Sequence, residues 1–165
     1  MKTTHVRVAT EQDLQELTAL YQAFHEFHVA GVPQRLRVPE HYDIERIQAA
    51  LKEYIQRPDT GLFVTEIDGK LVGFVEVHIQ EDATDAAVVA QRYGHVQSLM
   101  VTATHRKVGL GRALLDTAKD WVTAQGISQL RLDTWEFAAG PLHFYEHLGF
   151  RTVKREMALD ITTEE

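Results

Sequence analysis

Apolar positions along this chain recur with two different periods. From Leu14 to Phe27 they fall at three- and four-residue steps (Leu14, Leu17, Leu20, Tyr21, Phe24, Phe27). That step puts them on one face of a helix, which Thr10 can cap. "GVPQRLRVPE" carries two prolines and breaks the step, so it reads as loop. Ile44, Ile47, Leu51, Tyr54 and Ile55 restore it and predict a second helix that ends at "RPDTG". The pattern then changes. "LFVTEI" and "KLVGFVEVHI" are β-rich runs joined by Asp68-Gly69, a pair that favours a tight hairpin. "HVRVAT", ahead of the first helix, reads as a strand. "QEDATDAAVVAQR" is polar and then small, and reads mostly as loop. "YGHVQSLMV" closes a meander as its third strand.

The helical step returns from Gly109 to Gln125, with Leu110, Leu114, Ala118, Trp121 and Val122 inward and Gly126 placed to terminate the helix. "SQLRLDTW" predicts a strand, "GPLHFYEHLG" a short helix with Pro141 near its start, and "FRTVKREMALDI" one or two final strands. A strand–helix–strand crossover makes a parallel pair, whereas hairpins make antiparallel ones. The expected fold class is therefore α/β: a mixed sheet in which an antiparallel meander joins a parallel strand pair, flanked by helices. The parallel part is expected around Leu99 and Leu132. Ligands of such sheets sit at the carboxyl ends of the parallel strands, and the loop "TATHRKVGLG" lies at that end.

Bulk properties narrow the function classes. A chain of 165 residues suits one domain over 1–165, and 44% hydrophobic with 25% charged residues is ordinary for a globular protein. No apolar run is long enough to span a membrane, and "MKTTHVRVAT" has no apolar leader core. There is no cysteine, which excludes disulfides, thiolate metal sites and a cysteine nucleophile. A cytoplasmic location is expected. A net charge of −7 without a Lys/Arg block disfavours nucleic-acid and membrane partners. The acidic surface modestly favours approach of a cationic small molecule. His25 with His28, and His143 with His147, have spacings that can meet on a helix. No carboxylate completes either pair at a recognisable spacing, so no metal is expected.

The stretch "HRKVGLGRALL" carries the main candidate chemistry. The first turn of a helix has free N–H groups and a positive dipole end. Glycines let an anion approach the backbone there without meeting a Cβ. Arg106, Lys107 and Arg112 add positive charge. The result is a seat for a phosphate or pyrophosphate. A Walker loop fails, because Gly111 is followed by Arg112-Ala113. A dinucleotide fingerprint fails too, because Leu114 stands where its third small residue belongs. Two glycines can also serve only to relieve a tight strand-to-helix turn.

A second motif, "FYEHLGF" from Phe144 to Phe150, follows the loop by one helix and one strand. In this combination the chain resembles the GNAT superfamily of acetyl-CoA-dependent N-acetyltransferases. The R-x-x-G-x-G of Arg106, Gly109 and Gly111 is similar to that family's acyl-CoA pyrophosphate loop, and "FYEHLGF" to its C-terminal motif. The hairpins and the helix order match over nearly the whole chain. The resemblance implies that backbone N–H groups of Arg106, Lys107, Val108, Gly109, Leu110, Gly111 and Arg112 hold the CoA pyrophosphate. It implies that the main chain of Leu99, Met100 and Val101 pairs with the pantetheine arm like an extra strand. Tyr145 matches the tyrosine that protonates the leaving thiolate. The implied reaction is direct transfer of acetyl from acetyl-CoA to a primary amine of a small molecule or peptide, because no cysteine is present to form an acetyl-enzyme.

The chain departs from the family pattern at Ala138, where many members carry an asparagine, and at Pro141, where a small helix former is common. A side-chain contact to CoA is then missing. Two residues are candidates for the general base: His95 at the start of the third meander strand, and Glu76, which shares a strand face with His78. Acceptor choice falls to the segments 28–40 and 80–92, with Phe27, Arg35, Arg37 and Trp135 as candidate walls and Glu81, Asp82 and Asp85 as candidate attractors for an amine. A second class stays open: a CoA-binding sensor or interaction module without turnover, which shares Gly109 and Gly111 but has no need of Tyr145. Homodimers are common in the family, and no residue of the sequence by itself specifies one.

Overall fold

A computed structural model describes residues 5–161 of the chain. Residues 1–4, which open the stretch read for a leader, and 162–165 lie outside the described residues. The elements run β1 (His5–Val8), α1 (Leu14–Gly31), α2 (Ile44–Gln56), β2 (Thr60–Ile67), β3 (Lys70–Glu81), β4 (Arg92–Val101), α3 (Leu110–Ala124), β5 (Leu130–Arg131) and α4 (Leu142–His147). The five strands form one sheet in sequence order. β1 to β4 are antiparallel neighbours, and β4 pairs with β5 in parallel. The β2–β3 turn is Asp68-Gly69, with φ of 53° and 77°. Both values are positive, as a two-residue turn that follows the strand twist requires.

Alternation along the strands divides the core in two. Leu62, Val64, Phe74 and Met100 meet Leu17, Leu20 and Leu51 of α1 and α2 on one face. Phe63, Val75, Val77 and Val96 meet Leu114, Leu115, Ala118 and Val122 of α3, with Tyr145 of α4, on the other. Arg7 ties β1 to the entry of α1 by two bonds to the buried Asp13, at 2.8 and 2.9 Å. The same guanidinium also reaches Glu66 at 2.9 Å. The Arg7 hydrogen bonds hold the Asp13 carboxyl below the usual carboxylate range. A depressed folded-state pKa contributes stability above the unfolded value of about 3.9, and that stability is lost as pH falls through the folded value. Asp13→Asn is therefore expected to cost about 1.5–3 kcal/mol at neutral pH, with the gap to wild type closing below about pH 4. Urea denaturation at pH 7 and pH 3 checks this; equal losses at both would contradict it.

Two irregularities of β4 position the site. The register passes from Glu76↔Ser98 to Val77↔Val96, so Gln97 is an extra residue on β4. Such a bulge turns two successive side chains toward one face. The parallel pairing covers only Gly94↔Leu130 and His95↔Arg131. Gly94 permits this approach: a Cβ there would stand 2.5 Å from Val122 Cγ2 and 2.9 Å from Leu130 Cδ2. Beyond it the strands part.

Three expectations are thereby corrected. Leu99 and Leu132 do not pair. The eight-residue strand "SQLRLDTW" forms over two residues only. The final stretch 151–161 is exposed and forms no strand: among the described residues it makes no ladder hydrogen bond, and a strand needs a partner.

Candidate functional site

A cavity of about 440 Å³ opens between β3–β4 and the helices α1 and α2. Tyr21, Ile47, Leu51, Tyr54, Glu76, His78, Gln97 and Ser98 line it. The period of β3 explains its centre. Phe74, Glu76 and His78 share the α1/α2 face; Phe74 plugs the core, and the next position on that face is a carboxylate only 2% exposed. Tyr21 of α1 donates a short hydrogen bond to one Glu76 oxygen. His78 Nε2 lies 2.5 Å from the other. The Thr60 hydroxyl lies 3.1 Å from His78 Nδ1. A carboxylate only accepts, so the hydrogen of the Glu76–His78 contact comes from Nε2, and the Thr60 hydroxyl, which can donate or accept, partners Nδ1. Tyr21 stacks on Phe74 at 4.3 Å, and Tyr54 meets the His78 ring edge-on at 5.0 Å. Burial, and then the charge of Glu76, raises the phenol pKa of both Tyr21 and Tyr54. Both stay neutral donors beside a carboxylate that keeps accepting capacity for a further donor, such as an ammonium.

His95 stands opposite His78 in the register. It lies outside the cavity lining: its Nε2 is 3.0 Å from Asp133 Oδ2, and its buried Nδ1 has no partner among the described residues. The structure thus brings Glu76 and His78 together and leaves His95 aside, bound to the segment after β5.

Past Ser98 the β4 edge facing β5 is unpaired through Leu99, Met100 and Val101. It leads into the glycine loop. Lys107 and Gly109 both take left-handed backbone, with φ of 65° and 88°. Gly109 caps α3, and the first loop-to-helix bond runs from Ala113 N–H to Gly109 C=O at 3.0 Å. The N–H groups of Leu110, Gly111 and Arg112 therefore point out of the helix end unpaired. Arg106, Lys107 and Arg112 are exposed around them. The Arg106 side chain turns back: its Nε donates to Val101 C=O at 3.0 Å, and its guanidinium lies 4.8 Å from the Phe27 ring centroid. Phe27 also contacts Phe137 at 5.6 Å, which closes α1 onto the β5–α4 connection across the gap between β4 and β5.

Tyr145 sits on the α3 side, 8% exposed, in the cluster that also holds Leu99, Val101 and Leu132 from both sides of that gap. Its ring packs between Phe144 and Phe150 at 5.4 and 5.6 Å. Burial pushes the phenol up to about 12.

Several of the other sequence candidates have structural partners. Asp82 clamps Arg131 with bonds of 2.7 and 3.2 Å, and Asp85 accepts from Ala87 N–H at 2.7 Å. His25 Nε2 bonds the Arg37 carbonyl at 2.8 Å, His28 the Phe24 carbonyl at 2.8 Å, and His147 the His143 carbonyl at 2.8 Å. Arg35 and Trp135 are exposed. Among the described residues no group of three His, Asp or Glu side chains is placed to hold a metal ion, and no helix is long and apolar enough to cross a membrane. Sequence reasoning missed Tyr21, Tyr54, Gln97 and Ser98. The helical step identified both tyrosines as inward-facing, but only the packing of α1 and α2 on β3 joins them to Glu76.

Comparison with known proteins bears on this geometry. A family model described as the acetyltransferase (GNAT) family matches residues 14–150. An N-alpha-acetyltransferase of Sulfurisphaera tokodaii is 29% identical over 123 residues, covering 73% of this chain and 71% of that protein. A tetramutant of the BH1408 protein from Bacillus halodurans superposes with a TM-score of 0.82 at 25% identity, over 95% of this chain and 99% of that one. Aminoglycoside N-acetyltransferase AAC(6')-Iy, solved in complex with CoA, superposes with a TM-score of 0.75 at 17% identity, over 99% of this chain and 97% of that one; this likeness is one of fold.

Proposed function

The chain belongs to the GNAT acetyltransferase family, acyltransferases with acetyl-CoA as co-substrate, and on that premise we propose that residues 1–165 form one N-acetyltransferase domain whose amine acceptor binds in the Glu76 cavity. One observation carries the reading. A buried carboxylate held by Tyr21 and His78 lines a cavity whose wall, at Gln97 and Ser98, continues directly into the free edge of β4 and the glycine loop.

A primary amine arrives as an ammonium ion, and Glu76 is the anion in the cavity that attracts it. The ammonium must lose a proton before it can attack. Glu76, backed by the His78–Thr60 pair, receives that proton, and the reading favours it over His95. Acetyl-CoA supplies the thioester carbonyl. The N–H groups of Leu110, Gly111 and Arg112 hold its pyrophosphate, and the exposed cations of the loop add to the field. The main chain of Leu99 to Val101 aligns the pantetheine arm, which requires the Arg106 side chain to leave the Val101 carbonyl. Unpaired backbone N–H groups along this edge stabilise the oxyanion of the tetrahedral intermediate. Tyr145 faces the departing sulfur with a protonated phenol.

The test is release of free CoA from acetyl-CoA over a panel of aminosugars, polyamines, amino acids and peptide N-termini. Saturable, amine-dependent release is expected; acetyl-CoA binding without release by any amine would overturn the reading in favour of a sensor. Glu76→Gln is expected to lower kcat/KM for the amine about 100-fold and to leave the acetyl-CoA Kd unchanged. A variant with full turnover would remove Glu76 from the acceptor site.

A further inference from the structure

The lining of the Glu76 cavity carries charge at one point. Among the described residues Glu76 is the one carboxylate that lines it, and no lysine or arginine does. His78 has no free donor for an anion, because Nε2 faces Glu76 and Nδ1 faces the Thr60 hydroxyl. Arg57, whose charge reaches the Tyr54 phenol, is already taken: Asp59 holds it at 2.7 and 2.9 Å, and Glu53 at 3.3 Å.

The rest of the lining is neutral and has two sides. α2 contributes Ile47, Ala50 and Leu51 with the Tyr54 ring. The strands contribute the amides of Gln80 and Gln97 and the Ser98 hydroxyl. At about 440 Å³ the space falls near the lower end of the range for small-molecule sites. Each feature selects among acceptors. One ammonium meets one carboxylate. A carboxylate, a phosphate or a second ammonium on the acceptor would give up water and meet no opposite charge in the lining. A hydrocarbon body, by contrast, gains from covering the α2 side.

We propose that the acceptor is a primary monoamine with an uncharged, largely apolar body, which lies along Ile47 and Tyr54 with its nitrogen at Glu76. This rests on the reading of the cavity as the acceptor site and narrows it. The transfer forms the acetyl C–N bond and breaks the thioester C–S bond. Of the two protons that the ammonium gives up, one goes to Glu76 and on to solvent, and the other balances the proton that the CoA thiolate takes up.

Initial rates of CoA release at saturating acetyl-CoA test this with two sets of amines. From ethylamine to hexylamine, kcat/KM is expected to rise about two- to fourfold per added methylene. Hexylamine, hexamethylenediamine and ε-aminocaproate share one chain length and differ only at the far end. Hexylamine is expected to exceed both charged analogues by about tenfold or more. Ile47→Ser, at a half-exposed position, should lower the hexylamine value about fivefold more than the ethylamine value. A flat alkyl series, a charged analogue turned over as well as hexylamine, or an equal loss for both amines in folded Ile47→Ser would overturn this inference and leave transfer to amines standing. No CoA release by any amine would overturn both.

Discussion

A Gly111→Glu variant is expected to weaken acetyl-CoA binding about 100-fold or more while the fold persists. Two effects act together. The added carboxylate enters the first turn of α3, where free N–H groups and the dipole favour an anion, and it meets the pyrophosphate with like charge. The new Cβ also stands 3.0 Å from the Phe144 ζ carbon, so that ring must shift. Gly111→Ala separates the two, because it adds the Cβ without the charge. Its expected loss is under about tenfold. Titration calorimetry with acetyl-CoA reads both, and the melting temperature shows whether the variants fold. An unchanged Kd in folded Gly111→Glu would mean that the loop is only a tight turn.

The second large effect is expected at Tyr145. Tyr145→Phe should lower kcat about 100-fold with the acetyl-CoA Kd unchanged. The ring is buried between Phe144 and Phe150, so phenylalanine fills the same space and only the hydroxyl is lost. With burial raising the phenol to about 12, Tyr145 stays protonated across the working pH range and can donate to a departing sulfur. An ordinary thiol has a pKa of about 8.5, so the thiolate is a weaker base than this phenolate. The phenol therefore stabilises the leaving sulfur chiefly as a hydrogen-bond donor, and the final proton comes from solvent. Consequently Tyr145 contributes no ionisation to the rate profile below about pH 11, one unit under its raised value. Single-turnover rates on wild type and Tyr145→Phe from pH 6 to 10 check this. Turnover left intact in the variant would end the assignment.

Much of the fold was legible in the sequence because it rests on local signals. The helical steps from Leu14 and Ile44, the Asp68-Gly69 turn and Gly126 after α3 each act within a few residues. What was not legible depends on distant partners. The run 128–135 has a strand's composition, yet it pairs only where Gly94 lets Leu130 approach. The bulge at Gln97 leaves no mark in composition, but it sends Gln97 and Ser98 to the same cavity. Glu76 was readable as one member of a strand face. Its burial was not, because its hydrogen-bond donor Tyr21 lies 55 positions away in α1. The loop and Tyr145 were read from their resemblance to family motifs; the helix after the loop was predicted from periodicity, and the short helix of Tyr145 from Pro141 near its start. The 151–161 stretch shows the same limit from the other side: a strand pattern predicts a strand only where a partner exists.

The central claim is that two adjacent sites on β4, the Glu76 cavity and the glycine loop, act together so that acetyl passes directly between their occupants. Initial rates over a grid of acetyl-CoA and amine concentrations test it most directly. The account predicts intersecting double-reciprocal lines, the mark of a ternary complex. Parallel lines, which require an acetyl-enzyme between two half-reactions, would contradict it.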